Sequence, residues 1–74
     1  MAYRIRMLWD NEACVWIATS EDIPGLVLES GSFDNLISKV KAAVPELIQL
    51  NGQSSAEYSL NYYSDRTDKV AVYG

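Results

Sequence analysis

From Phe33 onward the spacing of apolar residues changes. Phe33, Leu36, Ile37, Val40, Val44, Leu47 and Ile48 recur every third or fourth position, whereas the segments on either side alternate every second one. Asp34, Asn35, Ser38, Lys39, Lys41, Glu46 and Gln49 fill the opposite side of this period. A short chain with a single stripe of this kind can bury it only against a sheet, so the strands around one helix decide the fold. Both ends of the helix are marked. Ser32 is an N-cap, Asp34 suits the positive end of the helix dipole, and Asn51 with Gly52 offers a left-handed stop. The expected helix of about 19 residues is roughly 28 Å long. Pro45 lies on its polar side and removes the bond to the Lys41 carbonyl, which predicts a kink, with a break into two short helices near Val44 as the alternative.

Before the helix, Tyr3 to Asp10 sets Tyr3, Ile5, Met7 and Trp9 against Arg4, Arg6, Leu8 and Asp10, the alternation of a half-buried strand. A polar break precedes Cys14 to Thr19, which is rich in β-branched and aromatic residues, so the two segments form a hairpin. With Asn11 and Glu12 as the loop, Met7 faces Trp16 and both tryptophans share a face. One more loop residue moves Val15 and Ile17 there instead, and the lack of glycine in the loop keeps that register open. Ser20 to Gly25 turns the chain, with Pro24 fixing its own φ and Gly25 free to take a positive one, and Leu26 to Ser30 forms a third strand. Beyond the polar connector Gln53 to Ser55, Glu57 to Tyr63 sets Tyr58, Leu60 and Tyr62 against Ser59, Asn61 and Tyr63, a fourth strand. Lys69 to Tyr73 is short and β-branched and suits a fifth strand at the sheet edge or an exchanged tail. The expected architecture is therefore α+β, in the order β-β-β-α-β(-β): a three-stranded antiparallel meander plus a parallel fourth strand, one helix on one face, and a single domain over residues 1–74.

Composition removes several function classes. A domain of 74 residues is small enough that such chains commonly add a disulfide, a metal or a partner subunit, since folding buries only about 60% of their surface. With one cysteine, Cys14, and no histidine, an internal disulfide is ruled out and a zinc site is not expected, which leaves self-association into a dimer or higher homo-oligomer. Cys14 between Ala13 and Val15 is expected to be a buried strand residue in a reducing, cytoplasmic setting. No apolar run has the length of a signal sequence or membrane span. A net charge of −4 and scattered basic residues argue against direct nucleic-acid binding.

The inventory for catalysis is thin. No histidine serves as a base, Cys14 has no activating neighbour, and no glycine-rich phosphate cradle occurs, so catalytic, metal and cofactor-binding residues are all expected to be absent. The strand and helix order begins like a ribonuclease H-like fold, but Asp10, Asp34 and Glu57 are too dispersed to predict the converging carboxylates of its metal chemistry. Aromatic residues in strands are mostly core, as expected of Trp16. Tyr63 and Tyr73 fall on faces away from Tyr62 and from Val70 and Val72, and are candidates for a protein interface.

One set of residues carries a family resemblance: Trp9-Asp10, Glu12-Ala13, Val15-Trp16-Ile17-Ala18, Asp22-Ile23-Pro24-Gly25-Leu26, Glu29 and Val44-Pro45-Glu46-Leu47. Over roughly residues 3–52 the chain resembles HicB-like antitoxin domains, and more narrowly a free-standing, largely uncharacterised bacterial branch of them. The resemblance implies a partial ribonuclease H-like fold, self-association and, in true antitoxins, neutralisation of a small basic RNA-cleaving toxin of the HicA type. The acidic balance suits such a partner. HicB antitoxins commonly continue into a DNA-binding segment, and these residues contain none, so operator binding is not expected. The Asp22-Ile23-Pro24-Gly25 turn is a family signature with a sufficient structural explanation and a secondary, partner-facing reading. The other reading of the chain is a stand-alone oligomeric domain with a different partner or a small ligand.

Overall fold

The computed structural model describes residues 2–52 and 57–73. Four strands and one helix follow in the order β1 (Ala2–Asp10), β2 (Val15–Thr19), β3 (Val27–Ser30), α1 (Phe33–Leu50) and β4 (Ser59–Asp65). They build one mixed sheet of spatial order β3-β2-β1-β4, antiparallel through the meander and parallel between β1 and β4. The expected α+β architecture is present. The first strand of the sequence is an interior strand of the sheet, and α1 carries the chain past two intervening strands.

Alternation sorts the sheet into two faces. Tyr3, Ile5 and Met7 of β1, with Ala18 of β2, are buried under the helix residues Leu36, Val40, Val44 and Ile48. Ile23 and Leu26 close this core at the turn, and Phe33, Ile37, Leu47, Leu60 and Tyr62 pack around it, half-buried. The helix is capped as its sequence predicts. Ser32 accepts a hydrogen bond from the Asn35 N–H (3.2 Å), and Gly52 follows the last turn at φ +72. Pro45 sits on the exposed side, and the helix runs through it without the break near Val44 that was the alternative.

Four expectations are corrected. Met7 pairs with Ala18, not Trp16, because the hairpin loop has four residues, Asn11 to Cys14, and Asp10 pairs with Val15. The cause is local: the Asp10 carboxylate accepts from the Glu12 and Ala13 N–H groups (2.9 and 3.2 Å), an Asx-type turn that consumes two more residues than a tight hairpin. The shift is even, so Trp9 and Trp16 still share a face, now directly opposite each other with ring centroids 5.3 Å apart. Cys14 is exposed in that loop at φ 55, not buried in a strand. The fourth strand runs from Ser59 to Asp65, two residues later than its alternation suggested, because pairing with β1 begins at Ala2 opposite Ser59. Residues 69–73 form no fifth strand and are exposed. Arg66, the residue after β4, stacks its guanidinium 4.1 Å from the Trp9 ring centroid.

Candidate functional site

The signature turn is held by hydrogen bonds to a residue far away in sequence. Asp22 Oδ2 accepts from the Arg4 backbone N–H (2.8 Å) and from Arg4 Nε (3.2 Å), and Oδ1 accepts from Nη2 (3.3 Å). These bonds hold the Asp22 carboxyl below its ordinary range, the side-chain bond to Arg4 first and the backbone bond second, and the same partner raises the Arg4 guanidinium. The Ser20 hydroxyl donates to the Arg4 carbonyl (2.6 Å) and accepts from the Asp22 N–H (3.1 Å). Ile23 is fully buried, and its carbonyl accepts from the Leu26 N–H (3.3 Å). The Pro24 carbonyl accepts from the Asn51 side-chain amide (3.1 Å), which ties the turn to the end of the helix. Gly25 holds φ +90, and a Cβ there would meet Leu47 Cδ2 at 3.5 Å. The four residues thus anchor β1 to the C-terminal end of α1, and Pro24 and Gly25 are the exposed members.

The sheet face opposite the helix carries no other element among the described residues. Register sets its side chains in rows: Val27, Thr19, Arg6 and Tyr63 in one, then Glu29, Ile17, Leu8 and Asp65 in the next. Leu8 and Ile17 are half-buried at its centre, flanked by Arg6 and by the carboxylates of Glu29 and Asp65. At one end Arg4, Arg6, Thr19, Ser20, Glu21 and Tyr63 line a shallow depression of about 540 Å³. An apolar centre with interspersed charges of both signs is the makeup of a protein-contact surface. Tyr63, 57% exposed, belongs to this face beside Arg6, whereas Tyr73 is almost wholly exposed and outside every element.

Among the described residues no group of three or more His, Cys, Asp or Glu side chains is close enough to hold a metal ion. No described helix is long and apolar enough to cross a membrane. Sequence reasoning missed two features. One is the Arg4–Asp22 pair, whose members are 18 positions apart. The other is the neighbouring of Arg6 and Tyr63, which only the β1–β4 register creates.

A search of curated proteins finds no match. Among solved structures, the hypothetical protein TTHA1013 from the extremely thermophilic bacterium Thermus thermophilus is similar, with a TM-score of 0.82 at 34% identity. The match covers 95% of this chain and all of that one. With its residues 2–73 matched by the family model, the chain belongs to the family described as Domain of unknown function (DUF1902).

Proposed function

We propose that this chain is a non-catalytic protein-binding domain of the HicB antitoxin type that neutralises a small basic RNA-cleaving toxin. The observation that carries the reading is the open sheet face, with Leu8 and Ile17 at its centre, Arg6 and Tyr63 beside them, and Glu29 and Asp65 at the ends of the central row. A surface of this kind buries an apolar centre against a partner and uses its charges for register. The net charge of −4 supports a basic partner by speeding encounter. The resemblance of residues 3–52 to HicB-like domains supplies the class of toxin.

Co-expression with whichever small basic reading frame lies adjacent to this gene tests the reading. The expected result is a co-purifying complex and rescue of growth, both lost in Leu8→Asp/Ile17→Asp. A neighbour that is neither toxic nor bound refutes it.

A further inference from the structure

Two features of the fold are incomplete in a single chain, and each has the shape of the other. The first is the outer edge of β4, which has seven residues and no partner strand among the described residues. An uncovered edge of that length presents a row of unused backbone donors and acceptors. Beside it, between α1 and β4, Ile37, Lys41, Tyr58, Leu60 and Tyr62 line a groove of about 430 Å³. The Tyr62 hydroxyl is buried there with no hydrogen-bond partner among the described residues. The opposite edge of the sheet is not equivalent: β3 has four residues, and Lys39 Nζ already donates to its Glu29 carbonyl (3.1 Å).

The second feature is the segment after β4. Val70, Val72 and Tyr73 are 83%, 91% and 92% exposed. The chain measures 58 × 20 × 18 Å, and its radius of gyration is 14.8 Å, against about 11 Å for a compact chain of this length. Residues 69–73 therefore project as an arm. Extended, they span about 17 Å, within the roughly 23 Å of β4. The arm does not serve its own edge: residues 69–73 form no strand, and the sheet order ends at β4.

We propose that residues 69–73 of a second copy of this chain add as a fifth strand to the free edge of β4, and that the exchange is reciprocal. Val70 and Val72 then enter the groove beside Leu60 and Tyr62, and Ala71 and Tyr73 fall on the open face. This arrangement sets Tyr73 of one copy on the face that carries Tyr63 of the other. A second copy is the occupant because, among the described residues, arm and free β4 edge occur once each per chain, the arm fits within the edge and alternates with it, and a two-fold exchange uses up both. Only about 15 residues a side are involved, short of the 20–30 of a standard interface, so the dimer dissociates on dilution. The proposal is independent of the toxin-binding reading, whose test measures a different partner.

Light scattering of the full chain, from dilute solution up to about 1 mM, is the test. The expected result is a concentration-dependent rise to twice the chain mass, abolished in Val70→Asp/Val72→Asp with an unchanged circular dichroism spectrum. Ala71→Pro, which blocks pairing without adding charge, is expected to behave the same way. Hydrogen exchange reads the edge itself: outward-facing β4 amides should exchange at least about tenfold slower in the dimer than in either variant. A monomer at every concentration, a dimer that survives both variants, or β4 amides equally fast in all three proteins overturns the proposal.

Discussion

Replacing Ile23 by alanine separates the anchoring role of the signature turn from a contact role. Ile23 is fully buried beside the helix, although its neighbours Pro24 and Gly25 are exposed. The substitution removes three carbons from the core, about 2.4 kcal/mol at ~0.8 kcal/mol per buried CH₂. The cavity left behind raises the cost to about 3–4 kcal/mol, inside the range of about 2–5 kcal/mol for such truncations. A domain of 74 residues has about 4–11 kcal/mol in total, so Ile23→Ala removes about a quarter of it or more. At about 4–8 °C per kcal/mol for a chain of this size, Tm falls by roughly 12–30 °C. Pro24→Ala, at an exposed position, is expected to cost about 1 kcal/mol or less. Circular dichroism melts and urea titrations at one fixed protein concentration make the comparison. An Ile23→Ala cost below about 1 kcal/mol, or a larger loss from Pro24→Ala, would refute the anchoring role.

Further expectations concern titration and the hairpin loop. Because Arg4 depresses the Asp22 carboxyl below its ordinary value of 3.8, this group contributes stability that is complete above that value and is lost as pH falls through the lower folded one. Asp22→Asn should therefore be less stable than wild type at neutral pH and flatter in acid; equal acid slopes in urea titrations would contradict this. Burial raises the Tyr62 phenol above its ordinary value of 10.0, so ultraviolet titration should show a late component that Tyr62→Phe removes. Cys14 holds φ 55, so Cys14→Gly should be more stable than Cys14→Val by about 1–2 kcal/mol in urea melts; the reverse order would deny the left-handed loop.

The parts of the fold legible in the sequence are those that local chemistry specifies. Ser32 and Gly52 mark the helix because a cap and a left-handed stop act on adjacent backbone, and the alternation of Tyr3, Ile5 and Met7 needs only a strand with one buried face. The parallel fourth strand followed from the right-handed crossover that a helix between strands makes, with strand three at the sheet edge. The hairpin register did not, because a side chain, Asp10, competes with the backbone for the turn. The fifth strand did not form within the chain although Val70 and Val72 are β-branched, because β propensity expresses packing on a half-buried surface and these side chains stay exposed. At the candidate surface, alternation alone placed Tyr63 outward. Its neighbour Arg6 and the Arg4–Asp22 bonds depend on pairings across the sheet, which no local window contains.

The central place of β1 bears on the order in which the chain acquires structure. β1 gains β2 after a four-residue loop, but its other neighbour starts at Ser59, opposite Ala2, so closure waits until β4 has left the ribosome. Until then the nascent meander carries an open hydrogen-bonding row along its longest strand, a row able to pair with another nascent chain. Pulse-labelling during refolding should find the β1–β2 amides protected before those of β4, and the lag between them is the interval in which the chain is exposed to aggregation.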